Sequence, residues 1–489
     1  MPVVNFAVDV VEAADSSARA LLEISREGER RQWTFGEVAQ RSGALAGTLE
    51  SHGVRKGDVV MTLIGNRSDW VFAMVACFRI GAVALPCNEQ LRPGDLRLRI
   101  EAVNPALVLA DERNAGVLRQ ALHRDDSIVV ILIPDESLYA TATPRPADLR
   151  PEDPCLITFT SGTAGEPKAV LHGQRYLTGQ ALQAKHWLAP LPAELVWCTA
   201  ASGWSKSARN VFIAPWLAGA AGMLHDARFD PAERLALLEQ ESVNVLCMAP
   251  TEYRMIAKRE NLRPFRALRG LVAAGEALGA DALEAWHEGT GLQIRDGYGQ
   301  TETGQVTANP AGRPARRGSM GLPLPGVSVF VENDELLLDP DTLPTFFLGY
   351  IEEGQLRPHR GRRWHTGDRV RIDGDGYLYF EGRTDDVIIS SGYRIGPFEV
   401  ESALASHPAV AEAAVVAADD EERGSVVRAV VVLRDGVEGD AKLAGALQQH
   451  VRELTAPYKY PRIVEFRRAL PKTASGKIQR ALLRTGDDR

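Results

Sequence analysis

Residues Thr160-Ser161-Gly162-Thr163-Ala164-Gly165-Glu166-Pro167-Lys168 follow directly on the apolar run Cys155 to Phe159. Hydroxyls, glycines and a lysine at this density make the kind of loop that holds anions. Glycine lets the backbone come close to a ligand, hydroxyls donate hydrogen bonds, and lysine supplies the point charge that polyphosphate needs. The Walker loop is the obvious comparison, and it requires a glycine followed at once by Lys and then Ser or Thr. Here Pro167 precedes Lys168 and Ala169 follows it. The phosphate grip is therefore of another type, and kinase or motor ATPase chemistry loses its main support. A surface loop rich in turn residues would share this composition, so the loop alone does not decide.

Such a loop works only if rigid elements aim it. Up to about residue 300, short β-branched runs alternate with longer helical stretches, the pattern of an α/β architecture with largely parallel strands. Thr34 followed by Glu37 reads as a capping box opening a helix that ends near Gly53. Asp58 to Ile64, Ala82 to Leu85, Ala106 to Leu109 and Ser127 to Ile133 read as strands, as do Asn244 to Met248, Gly270 to Ala273 and Gln293 to Arg295. Each of the last three runs into a loop of functional character: Ala249-Pro250-Thr251, Ala274-Gly275-Glu276-Ala277, and Asp296 to Glu302. Open α/β sheets bind ligands beyond the carboxyl ends of their strands, so these loops are expected to converge on one cleft.

Farther along, glycine and proline rise, and Val327 to Val331 and Glu335 to Leu338 suggest a smaller β-rich subdomain. Arg383 to Gly396 reads as a junction. Beyond it the pattern is a compact α+β module, with a helix from Pro397 carrying Val400, Ala403 and Leu404 on one face, strands at Ala413 to Ala417 and Val426 to Leu433, and a helix from Lys442 to Leu454. The expected division is a large domain over 1–383 and a mobile domain over 384–489.

Bulk properties agree. At 489 residues the chain exceeds the ~250–300 at which a single core stops growing. No stretch approaches the ~20 apolar residues that span a bilayer, and the start, with Asp9, Glu12 and Asp15, lacks the pattern of a secretory signal. A cytoplasmic enzyme without a membrane span is expected. Dispersed cysteines without any C-x-x-C pair argue against a disulfide framework or a zinc site. A net charge of −8 disfavours nucleic acid as a partner. The oligomeric state, a homo-oligomer included, is left open.

Four further segments give the loop its company: Asp296-Gly297-Tyr298-Gly299-Gln300-Thr301-Glu302, Thr366-Gly367-Asp368, Gly382-Arg383-Thr384-Asp385-Asp386, and Pro471-Lys472-Thr473-Ala474-Ser475-Gly476-Lys477. With the loop at 160–168, they resemble, in order, the signatures of the adenylate-forming superfamily: acyl-CoA synthetases, adenylation domains of peptide synthetases, and luciferases. Ser391-Gly392-Tyr393-Arg394-Ile395-Gly396-Pro397 and Thr455-Ala456-Pro457-Tyr458-Lys459-Tyr460-Pro461-Arg462 look most like the medium-chain acyl-CoA synthetases.

That resemblance implies roles. Thr160, Ser161, Gly162, Thr163, Gly165 and Lys168 would hold the β and γ phosphates of ATP. Gly275, Glu276 and Ala277 would line the adenine, and Asp296, Gly297, Tyr298, Gly299, Gln300 and Thr301 the rest of the nucleotide, with Thr301 on the α-phosphate. Glu302 would take Mg²⁺. Asp368 would accept the ribose hydroxyls with Arg383 in support, and Arg394 would contact phosphate. Lys477 would bridge the acid's carboxylate and the α-phosphate, which leaves Lys477, Thr301 and Lys168 as the catalytic set. The C-terminal domain would then rotate about Asp385 and present Gly392 to the pantetheine channel. Gln90, Ser391, Tyr393, Arg423, Tyr460 and Arg462 are the coenzyme A candidates.

Trp204, Phe212, Thr251 and Gly299 are the candidates for the acyl pocket. Lys206 and Arg209 stand three apart and would share a helix face, a departure from a purely apolar lining. Solvation, coenzyme A phosphates and a second anionic group on the substrate each remain open as their role. The implied activity is an ATP-dependent acid:CoA ligase that forms an acyl-AMP and then an acyl-CoA thioester. A short- to medium-chain aliphatic acid is expected, with aromatic acids left open. The alternative acceptor is the phosphopantetheine of a carrier protein.

Overall fold

The computed structural model describes residues 4–123, 128–160, 167–276, 278–386, 388–390, 393–420, 424–455, 457–473 and 478–484. The chain forms two compact units. The larger takes Met1–Thr160, Lys168–Ser328 and Asp339–Arg362, and the smaller takes Val329–Leu338 and Arg363–Arg489. The class is α/β, as expected.

In the larger unit one sheet runs, edge to edge, through Leu322–Pro323, Gly304–Ala308, Ile294–Gln300, Gly270–Ala274, Val245–Met248, Leu195–Cys198, Ala221–His225, Arg19–Ile24 and Arg30–Thr34. Its central pairs are parallel and its outer pairs antiparallel. A second sheet follows the order Gln355–Arg357, Gly349–Glu352, Ala169–Gly173, Pro154–Phe159, Val83–Pro86, Val59–Leu63, Leu107–Asp111 and Val129–Ile133. Central strands are buried on both faces, which is why they read as continuous apolar runs rather than alternating ones.

The capping box at Thr34 is present. Thr34 Oγ1 accepts from the Glu37 amide at 3.2 Å and Glu37 returns the bond to the Thr34 amide at 2.8 Å, starting the helix Phe35–Ser51. Against the first sheet, the helix Pro250–Arg259 is fixed by Tyr253. Its hydroxyl lies 3.1 Å from both the Leu246 and the Val272 carbonyls, and its ring meets Trp286 edge-on at 5.1 Å. Fully burying an aromatic or large aliphatic side chain stabilises by roughly 1.5–3 kcal/mol. Tyr253 thereby ties the helix to the two strands whose ends carry candidate loops.

One expectation needs correction. Asp296 to Gln300 is strand, not loop, since the strand expected at Gln293 to Arg295 runs from Ile294 to Gln300. Gly299 explains this. A Cβ there would collide with the Gly304 carbonyl, so only glycine lets the strand Gly304–Ala308 pair so closely, and the pairing shifts register at Tyr298/Gly299.

The smaller unit holds an antiparallel sheet of Val329–Glu332, Glu335–Leu338, Trp364–Ile372 and Leu378–Arg383. It also holds a two-stranded ribbon, Ile388–Ser390 with Tyr393–Ile395, and a sheet of Val410–Asp420, Gly424–Leu433 and Ile463–Phe466. Helices Pro397–Ala405 and Ala441–Leu454 bury Val400, Ala403, Leu404, Leu447 and Val451 against it. Among the described residues, no helix is long and apolar enough to cross a membrane.

Candidate active site

Strands Val245–Met248, Gly270–Ala274 and Ile294–Gln300 are parallel neighbours, so their carboxyl ends open side by side. The segments beyond the first two touch. Thr251 Oγ1 donates to Glu276 at 2.7 Å, and Arg254 reaches both, Thr251 Oγ1 at 2.8 Å and Glu276 at 3.2 Å. Contact between these two ends agrees with the strand pattern, and Arg254 is a member that no motif marks. Ala277 lies outside the described residues.

The phosphate-type loop starts and ends on adjacent antiparallel strands, Pro154–Phe159 and Ala169–Gly173. Its neck is closed twice: the Thr160 amide donates to the Lys168 carbonyl at 3.0 Å, and the Lys168 amide donates to Thr160 Oγ1 at 2.9 Å. Ser161, Gly162, Thr163 and Gly165 lie outside the described residues. The Lys168 side chain is exposed, and its Nζ sits 5.0 Å from the centroid of the Tyr350 ring. Tyr350 lies on Gly349–Glu352, the strand paired with Ala169–Gly173. Its hydroxyl donates to Glu302 Oε1 at 2.8 Å. One aromatic ring thus joins the candidate phosphate lysine to the candidate metal carboxylate. No sequence motif marks Tyr350, because only strand pairing brings it there.

Asp296 is half-buried and lines a cavity of about 130 Å³ with Leu278, His287, Asn309 and Arg316. Its Oδ1 accepts from the Gly297 amide at 2.9 Å. Burial pushes its carboxyl up to about 8, against which that single bond pulls down. Tyr298, Gly299 and Gln300 continue the same strand, and the Gln300 amide donates to Thr303 Oγ1 at 3.0 Å. The backbone of Thr301 lies beside the ring of His172.

In the smaller unit, Asp368 and Arg383 face each other across paired strands. Arg383 Nη1 donates to Asp368 Oδ1 at 3.2 Å and to the Thr366 carbonyl at 3.0 Å. Gly367 between them takes φ +67°, and a Cβ there would stand 2.8 Å from the guanidinium. The turn therefore needs glycine. Asp368 is buried, and a carboxylate held there by one arginine is the type of group that accepts ribose hydroxyls.

Asp385 lies in the short turn Thr384–Asp386. The next residue, Asp386, meets Arg484 at 2.5 Å and Arg480 at 3.8 Å. Arg480 also forks onto Glu401 at 2.7 and 2.8 Å. Lys477 lies outside the described residues, but the segment around it is bracketed by pairing of Lys472 with Ile478, and Lys472 meets Glu412 at 2.7 Å.

Of the coenzyme A candidates, Ser391, Gly392 and Arg423 lie outside the described residues. Tyr393 and Arg394 form the second strand of the two-stranded ribbon. Tyr460 is flanked by Arg452 at 3.7 Å and Arg462 at 5.1 Å from its ring centroid. Gln90 is exposed and bonded through its amide to Asn88.

The acyl candidates separate. Trp204 precedes a helix of three abutting pieces, Ser205–Ala208, Arg209–Ile213 and Ala214–Leu217, the middle one wound as a wide π turn. Phe212 is fully buried between Trp70 at 5.8 Å and Trp216 at 4.9 Å. Lys206 is half-buried rather than solvated, and its Nζ donates to the Ala274 carbonyl at 3.3 Å. Arg209 turns toward His172 and Tyr176 instead.

Comparison with known proteins supplies the rest. The AMP-binding enzyme family matches residues 10–344, and the AMP-binding enzyme C-terminal domain matches residues 399–477. The chain is 36% identical to an uncharacterized acyl-CoA ligase, YtcI, of Bacillus subtilis, covering 97% of this chain and 94% of that one. It is 37% identical to the mitochondrial acyl-coenzyme A synthetase ACSM4 of Homo sapiens, covering 98% and 90%. The crystal structure of the anthranilate CoA ligase AuaEII in complex with anthranoyl-AMP superposes with a TM-score of 0.87 at 28% identity, covering 99% and 98%.

Proposed function

The chain belongs to the AMP-binding enzyme family, and from that premise we propose that it is an AMP-forming acid:CoA ligase. The observation that carries the chemistry is the row Lys168, Tyr350 and Glu302 beside the open ends of three parallel strands. In the first half-reaction a carboxylate oxygen of the acid attacks the α-phosphorus of ATP, and the bond to pyrophosphate breaks. Both partners are negative, so the protein's part is to place positive charge and fixed dipoles where charge builds. Lys168 serves the outgoing phosphates, the Thr301 hydroxyl the α-phosphate, and Lys477 the acid carboxylate. Asp368 and Arg383 take the ribose, and Gly275, Glu276 and Ala277 the adenine. In the second half-reaction the thiol of coenzyme A attacks the acyl carbon and AMP leaves, after the C-terminal domain turns about Asp385.

Glu302 fits a magnesium ion. Tyr350 occupies one carboxylate oxygen and fixes its direction, and among the described residues no group of three or more His, Cys, Asp or Glu forms an all-protein cage. One carboxylate completed by phosphate oxygens and water is what Mg²⁺ commonly takes. When bound it neutralises phosphate charge.

Acid-dependent release of pyrophosphate, followed by transfer to free coenzyme A or to a phosphopantetheine-carrying protein, tests this reading. Release without any acid, or transfer only to the carrier, would contradict it.

A further inference from the structure

We propose that the acid this enzyme activates carries a second negatively charged group, and that Arg209 is the counter-charge that receives it. The inference rests on the acid:CoA ligase reading and names its substrate class. Arg209 begins the wide turn of the helix at 205–217 and is only 5% exposed, yet its Nε and Nη1 have no hydrogen-bond acceptor. Two of the other buried arginines have a carboxylate: Arg79 pairs with Glu12, and Arg234, whose Nε is also unbonded, lies 3.6 Å from Glu252. Arg99 donates to the Asp95 carbonyl at 2.7 Å. Arginine cannot shed its proton inside a protein, and a buried charge left unpaired is strongly unfavourable.

The neighbours supply no anion. Tyr176 shares its neutral hydroxyl with Arg209 and Ser205. His172 is fully buried with neither ring nitrogen bonded. Burial first, then the charges of Arg209 and Arg175, push it down to about 3, so it stays neutral. Asn210 gives its carbonyl to Gln183 at 2.9 Å and keeps an unbonded amide donor. The cluster is rich in donors and its charge is positive, which suits a carboxylate better than an alkyl tail. His172 lies beside the Thr301 backbone and within the field of Arg209. Arg209 is therefore a short distance from the segment assigned to the nucleotide, which points to a short dicarboxylic acid.

Pyrophosphate release is measured for monocarboxylic acids and for dicarboxylic acids of matched length, from succinate upward, with wild type, Arg209→Met and Arg209→Lys. Wild type is expected to favour one dicarboxylic acid over its monocarboxylic match by about 10- to 100-fold in kcat/KM, the scale of a charge-assisted contact. Arg209→Met is expected to abolish that preference, while Arg209→Lys retains part of it. As a readout apart from turnover, the favoured dicarboxylic acid with AMP should raise the melting temperature of wild type and not of Arg209→Met. A wild-type preference for the monocarboxylic acid, or an unchanged preference in Arg209→Met with a weakened KM for coenzyme A, overturns the proposal. Should Arg209→Met fail to fold, the wild-type panel decides alone. Silence toward every acid instead removes the ligase reading on which the proposal stands.

Discussion

The hydroxyl of Tyr350 donates to Glu302 at 2.8 Å while the face of the same ring receives the Lys168 ammonium at 5.0 Å. Tyr350→Phe keeps the ring and deletes the hydrogen bond. A bond to a charged group is worth about 1.5–3 kcal/mol when buried, and this one is partly exposed, so the lower end applies. We expect kcat/KM for magnesium-ATP to fall about 10-fold, with little change in the KM for acid. An unaltered KM for magnesium-ATP would show that Glu302 needs no such support.

Much of this was legible in the chain and some was not. Strand positions such as Val245–Met248 and the capping box at Thr34 follow from local chemistry, which sequence carries directly, while the five signature segments are legible through family resemblance. Tyr350 and Arg254 could not be found that way. Each matters because a strand or helix from elsewhere in the chain is laid beside the segment it serves. Asp296 to Gln300 reads as a loop because two glycines are strand-breakers in isolation, whereas the close approach of Gly304 requires glycine at 299 and that of Gln305 and Thr307 requires it at 297. The family resemblance makes Phe212 a pocket candidate, and the rings of Trp70 and Trp216 hold it in an aromatic cluster.

Asp296 gives stability a pH dependence. Its carboxyl is raised from 3.8 to about 8, so between those values the folded chain holds a proton that the unfolded chain has released. The folded form binds more protons, and stability must fall as pH rises through that window. Asp296→Asn should flatten this decline, read as melting temperature against pH. Equal slopes in the two proteins would refute it.

Arg480 anchors the segment that carries Lys477. Burial pushes the Glu401 carboxyl above its ordinary value, against which Arg480 chiefly, and then the Val415 amide, pull it down. Arg480→Met leaves that carboxylate unpaired and should destabilise by about 3–5 kcal/mol. Glu401→Leu added to it should restore most of the loss. Denaturant unfolding measures both, and strict additivity of the two changes would count against a coupled pair.

Lys477→Ala should abolish acyl-AMP formation and leave thioester formation from supplied acyl-AMP largely intact, since the lysine serves charge that develops only in the first step. Asp385→Pro should trap one domain arrangement and impair a single half-reaction. Equal loss of both half-reactions in either variant is the contrary result, read by assaying the two steps separately.

The most direct measurement follows oxygen. A heavy-oxygen-labelled carboxylic acid is turned over with magnesium-ATP and coenzyme A, and the nucleotide product is examined by mass spectrometry. Capture of adenylate by the carboxylate puts the label into AMP and none into pyrophosphate. Label found in inorganic phosphate alongside ADP, or unlabelled AMP accompanying thioester formation, would contradict that chemistry.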